Sequence, residues 1–166
     1  MKVYVTGLGV VSGIGKGVEE NIRSLRDGKH GVGKITLFPT KLDVPVSEVK
    51  YTNEELKKQL ALPPEKTYSR TALLGMLAAK EAANDALIDF SSPRVGLISS
   101  TSVGGIDLSE RFYADFRKDN RKGRLREVVS HDCGASTEQI ATYLKVKGFV
   151  TTISTACSSA ANSIIL

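Results

Sequence analysis

The sequence predicts an α/β domain in which a mixed sheet is flanked by layers of helices. Three observations carry this expectation. The apolar run at 3–11 is continuous rather than alternating, as in a strand covered on both faces, and shorter runs recur at 95–99 and 149–154. Segments with helical spacing lie between these runs, so strands and helices intersperse along the chain. The stretch 69–88 is small or apolar on most of a helical surface, as befits a helix packed among neighbours.

The elements follow in order. The run 3–11 is punctuated by Gly7 and Gly9. Val18, Ile22 and Leu25 then recur at helical spacing, with Glu19, Glu20, Arg23 and Arg26 opposite and Gly28 as a stop. Residues 29–64 are mixed, carry Pro39, Pro45, Pro63 and Pro64, and read as loops with short pieces of structure. Next comes the helix 69–88, built on Ala72, Leu73, Met76, Leu77, Ala79, Ala82, Ala83, Ala86 and Leu87. The short strand 95–99 runs into a turn at Gly104-Gly105, and Leu108, Phe112 and Phe116 share one face of the following helix. A basic, glycine-interrupted segment spans 117–126, a helix covers 138–144, and 149–154 is a strand rich in β-branched residues. The last segment, 156–166, is small or apolar on nearly every face and reads as the start of a deeply buried helix. It has neither a cap nor a charged last turn, so the natural chain is expected to continue beyond Leu166.

Composition bounds the function. A length of 166 residues suits one domain, and 41% hydrophobic with 25% charged residues is a globular profile. No apolar run approaches the roughly 20 residues that span a bilayer, and the N-terminus lacks the three regions of a signal peptide. The expectation is a cytoplasmic protein without a membrane association, in which Cys133 and Cys157 are free thiols. The net charge of +5 permits an acidic partner. Nucleic acid is not favoured: aromatics are only 6%, no nucleic-acid module is recognisable, and the basic residues are interleaved with acids. The glycines of `GLGVVSG` do not fall into the dinucleotide-binding spacing. His131, Cys133 and Cys157 lack the paired short spacings of zinc ligands, so no metal is expected.

Cys157 is the candidate nucleophile. `TTISTACSSAANSI` reads as strand, sharp turn and helix, with Cys157 at the junction. Unpaired N–H groups and the helix dipole there stabilise a thiolate, and can receive the oxyanion formed when sulfur attacks a carbonyl. The small neighbours Ala156, Ser158, Ser159 and Ala160 allow a tight turn and substrate approach, the logic of a nucleophile elbow. Composition alone leaves open that Cys157 is one more small residue in a packed helix.

Together, `VYVTGLGVVSGIG`, `RVGLISSTSVGG` and `STACSSAANSI`, with the alanine-rich helix before Arg94, resemble the hallmark segments of the β-ketoacyl-acyl carrier protein synthases, in the same order and with similar spacing. The resemblance extends from about residue 3 to the last and identifies 1–166 as an N-terminal half. It implies a layered thiolase-like fold, of which this is the first of two similar halves. It implies that Cys157 accepts an acyl group from carrier protein or coenzyme A, which then condenses with decarboxylated malonyl-carrier protein. The two histidines and the lysine that support decarboxylation belong to the second half, so the 166 residues alone are expected to be inactive. No cofactor is implied.

The resemblance also places Val103 at the far end of the acyl pocket. It places Lys66, Arg70, Arg121, Lys122, Arg124 and Arg126 in segments that face the acidic carrier protein, solvated surface being the alternative. It makes 149–154 the strand through which a homodimer forms. The segment `SHDCGASTEQ`, 130–139, departs from the small and apolar residues usual there. It is read as a loop near the dimer interface and the acyl pocket, and it puts a straight aliphatic substrate in doubt. The rival assignments are a polyketide-type synthase and a non-catalytic or incomplete synthase subunit. Chain-length partners of paired synthases typically lack the cysteine present here.

Overall fold

In the computed structural model, which describes residues 2–166, helices and short strands intersperse as the periodicity requires. They fall into two units. The first runs to Leu62 and takes in Leu77–Ile88; the second comprises Pro63–Met76 and Asp89–Leu166. The ladders are two-stranded, two antiparallel in the first unit and one parallel in the second.

The first unit opens with an extended segment, then β1 (Val11–Ser12) turns back on β2 (Gly15–Lys16), pairing Val11 with Lys16. Helix α1 (Val18–Arg26) follows, then β3 (Val32–Gly33), which pairs with β4 (Val46–Ser47), and α2 (Asn53–Gln59). Two expectations fail here. Residues 3–10 join no ladder, and Val3, Tyr4 and Val5 are exposed. The reason is local. The N–H groups of Leu8 and Val10 donate to the carboxylates of Asp85 and Glu81 on α3 (Arg70–Asp85) instead of to a strand. Gly7 and Gly9 lie so close to the α3 backbone at Ala82 and Ala78 that a β-carbon on either would overlap it.

The second failure is the facing of α1. Leu25 is 68% exposed, whereas Asn21 is only 7% exposed. The Asn21 amide accepts from Ser12 Oγ (2.5 Å) and donates to the Gly15 and Gly17 carbonyls (2.9 and 2.8 Å). Three hydrogen bonds outweigh the modest gain from burying one more aliphatic side chain. Glu81 completes the arrangement. It accepts from Val18 N–H at 2.8 Å and so caps α1, whose own N-cap, Gly17, has no side chain to do it.

The second unit holds the N-terminal half of α3, β5 (Leu97–Ser100), α4 (Ile106–Lys118), α5 (Leu125–Val129), α6 (Cys133–Leu144), β6 (Val150–Ile153), a 3₁₀ turn (Ala156–Ser158) and α7 (Ser159–Ile165). β5 and β6 pair in parallel from Leu97–Val150 to Ser100–Ile153. α6 packs on β6, where the Thr152 hydroxyl donates to that of Thr137 at 2.7 Å. Ala72, Leu73, Met76, Leu108 and Ile140 form the buried apolar set, each large member contributing about 1.5–3 kcal/mol by burial. The aromatic face of α4 is as the spacing predicts: Phe112 and Phe116 stack with centroids 5.6 Å apart.

Two further expectations are corrected, and one segment left without a structure gains one. Segment 130–139 is mostly helix: Cys133 is the first residue of α6, and Asp132 is its N-cap, accepting from Gly134 N–H at 2.6 Å. The basic stretch 117–126 includes the last turn of α4 and the start of α5. The terminal helix is not deeply buried. Ser159 is 4% exposed, but Ile164 is 86% exposed, because no described residue covers that face.

Candidate active site

The parallel strands β5 and β6 end side by side at Ser100 and Ile153. The crevice outside the carboxyl ends of parallel strands is where open α/β sheets hold ligands. After β6 the chain passes Ser154 and Thr155, bends through the 3₁₀ turn and enters α7. Cys157 is the middle residue of that turn and is exposed.

The bend is sharp because Ala156 takes φ +52°, the left-handed region that costs a non-glycine residue roughly 1 kcal/mol. Such strain persists only where surrounding bonds enforce it. Here small polar side chains do so. Thr155 N–H donates to Ser159 Oγ (2.8 Å), which in turn donates to the Ala156 carbonyl (2.7 Å). Ser158 Oγ donates to the Thr155 carbonyl (2.8 Å), and Asn162 donates to Thr155 Oγ1 (2.8 Å). The backbone N–H of Cys157 has no acceptor among the described residues. An exposed thiol and a backbone N–H without an acceptor thus belong to the same residue of this turn.

Sequence reasoning took Ser158 and Ser159 only as small residues and passed over Asn162. Their role in clamping the turn was foreshadowed by the preference of Ser and Asn for bonding nearby backbone.

The other expected site residues distribute unevenly. Val103 lies in the bend between β5 and α4 and is 53% exposed. Its turn is seated on the start of α6: Gly105 N–H donates to the His131 carbonyl (3.2 Å), and a β-carbon on Gly104 would stand 3.0 Å from Cys133 N. Cys133 is half-buried, and its sulfur accepts from Ser154 Oγ at 3.6 Å. Lys66, Arg124 and Arg126 are exposed. Arg121 and Lys122 are engaged by Asp119, at 3.1 and 3.8 Å. The Arg121 hydrogen bond is the main cause holding the Asp119 carboxyl below its ordinary range. Arg70 starts α3, its N–H donating to Asp107 at 3.0 Å. Among the described residues no helix is long and apolar enough to cross a membrane.

Comparison with known proteins converges on one family. The β-ketoacyl synthase N-terminal domain family matches residues 1–166. The chain is 29% identical to 3-oxoacyl-acyl-carrier-protein synthase 1 of Escherichia coli K12, over 98% of this chain and 41% of that protein. It is 25% identical to 3-oxoacyl-acyl-carrier-protein synthase 2 of Staphylococcus aureus MRSA252, over 99% of this chain and 41% of that protein. Among solved structures it resembles the ishigamide ketosynthase/chain length factor, with TM-score 0.80, 27% identity, and coverage of 92% of this chain and 40% of that one. A type II polyketide ketosynthase, solved with its acyl-carrier protein and bound to the hexaketide, shares the fold at TM-score 0.68 and 24% identity, over 93% of this chain and 38% of that one. The chain thus spans about two fifths of the length of these relatives. With the family match over the whole chain and the thiolase-like architecture of its structural neighbours, the chain belongs to the β-ketoacyl synthase family, as an N-terminal domain.

Proposed function

We propose that this domain supplies the nucleophile of a 3-oxoacyl-acyl-carrier-protein synthase, with Cys157 as the residue that is acylated. The observation that carries the reading is the placement of an exposed thiol on a strained, hydrogen-bonded turn at the carboxyl end of a parallel strand pair. Cys157 Sγ attacks the thioester carbonyl, forming a new carbon–sulfur bond. The tetrahedral oxyanion is received by the Cys157 N–H. The bond to the leaving thiol then breaks, and the proton given up by Cys157 ends on that thiol. In the condensation that the family performs, malonyl thioester loses carbon dioxide and its carbanion attacks the acyl carbonyl. Cys157 thiolate departs and a 3-oxoacyl thioester is released.

An acidic carrier protein is the proposed acyl donor, met by Lys66, Arg124 and Arg126, with Arg70, Arg121 and Lys122 on the same unit. Val103 is proposed to bound the acyl chain. A homodimer is proposed through the free edge of β6, which pairs only with β5 among the described residues.

The test is mass spectrometry of the full-length protein after incubation with an acyl thioester. The adduct is expected on Cys157 and not on Cys133, which is half-buried at the head of α6. Cys157→Ser is expected to slow acylation at least ~100-fold while folding survives. An adduct on Cys133 alone, or undiminished acylation in Cys157→Ser, overturns the assignment.

A further inference from the structure

The carboxyl ends of β5 and β6 gather more than the proposed nucleophile. Ser154, three residues before Cys157 in sequence, donates to Cys133 Sγ. The 102–105 turn rests against 130–133, Gly105 being in close contact with the Ser130 carbonyl. Ser109 Oγ and His131 Nδ1 share a hydrogen bond of 2.9 Å, and His131 Nε2 has no partner among the described residues. Ser154 leads from β6 into the Cys157 turn with the Cys133 thiol beside it, and the 130–133 segment brings His131 against the 102–105 turn that carries Val103.

A saturated chain laid there would strip water from these groups and return no hydrogen bond, at about 1–3 kcal/mol for each donor or acceptor left unsatisfied. A hydroxyl or carbonyl on the chain returns one. Because His131 shares Nδ1 with a hydroxyl that can donate or accept, either tautomer is available, so Nε2 can donate to a ketone or accept from a hydroxyl. The Asp132 carboxylate between His131 and Cys133 argues against an anionic chain.

From this arrangement we infer that the acyl group delivered to Cys157 carries a hydroxyl or keto group within its first few carbons, held by His131 and the Cys133–Ser154 pair. The inference rests on the proposed acylation of Cys157 and narrows its substrate class.

The experiment compares octanoyl, 3-hydroxyoctanoyl and 3-oxooctanoyl thioesters of N-acetylcysteamine, reading the rate of adduct formation on Cys157 in the full-length protein. The oxygenated chains are expected to react about tenfold faster than octanoyl, the worth of one hydrogen bond. In His131→Leu the ratio is expected to fall to near one, and in Cys133→Ala to fall part of the way. Taking the ratio within each variant removes any effect of partial misfolding. Equal rates for the three thioesters in the unaltered protein, or a ratio unmoved by both substitutions, overturn the subsite alone. Absence of any adduct on Cys157 overturns the nucleophile assignment and the subsite with it.

Discussion

Replacing Gly105 by alanine tests the seating of the Val103 turn with no backbone conformation to blame. Gly105 has φ −103°, which alanine adopts freely, so any cost is steric. A β-carbon there would overlap the Ser130 carbonyl oxygen and stand 2.8 Å from its carbon, where ordinary contact begins at 3.4 Å. Both partners are backbone and the oxygen is the closer, so the 102–105 turn and the 130–133 segment must part by more than about 1 Å. Overpacking of this kind costs about 1–3 kcal/mol, and loss of the Gly105 N–H bond to the His131 carbonyl adds about 1 kcal/mol. The expected destabilisation is about 2–4 kcal/mol, read as a fall of roughly 1–2 M in the urea midpoint followed by far-ultraviolet circular dichroism. Gly33→Ala is the control. No atom lies within 4 Å of the β-carbon it would add, and its stability should stay within about 0.5 kcal/mol of the original. If Gly105→Ala matches Gly33→Ala, the turn is not seated on the start of α6, and the neighbourhood argued for Val103, His131 and Cys133 falls.

Three other outcomes follow from the geometry. Glu81→Ala removes the acceptor of both Val10 and Val18 N–H groups and should destabilise the first unit by about 1.5–3 kcal/mol in chemical denaturation; an unchanged midpoint would mean that α1 needs no cap. The Glu48 carboxyl is pushed down to about 2 from its ordinary value of 4.5, chiefly by its bond to Lys50 and then by Thr36. A depressed acid stabilises the fold above its unfolded value and loses that contribution as pH falls through the folded one. The 36–50 loop contact should therefore persist at pH 4 and open near pH 2, and Glu48→Gln should flatten this part of the acid transition monitored by hydrogen exchange. Val103→Phe in the full-length protein should shorten the longest acyl chain accepted on Cys157; an unchanged chain-length profile in a folded variant would remove Val103 from the acyl site.

Some of what the sequence left obscure was written in it. Thr52 and Glu55 have capping-box spacing, and the box forms at the start of α2, with Glu55 Oε2 accepting from Thr52 N–H at 2.7 Å. Its signal was diluted by the prolines on either side. Asp132 is a good N-cap by type, but Gly134, Ser136 and Thr137 are poor helix formers, so the first turns of α6 looked like loop. They hold because Ser136 and Thr137 are buried with partners, Ser136 Oγ donating to the Cys133 carbonyl at 2.8 Å and Thr137 accepting from Thr152. Tertiary bonds override propensity here.

Local pattern by itself determined the interspersed strands and helices, the apolar α3 and the strand–turn–helix that presents Cys157, because these depend on neighbours a few residues apart. Tertiary structure alone decided that Asn21 rather than Leu25 turns inward. It also decided that Glu81 and Asp85 claim the N–H groups of residues 8 and 10, and that His131 and Cys133 meet the 102–105 turn beside Ser154. Each of these is a choice among distant polar partners. Periodicity reports which face of a segment is apolar, but it carries no information about which donor will meet which acceptor once the chain has folded.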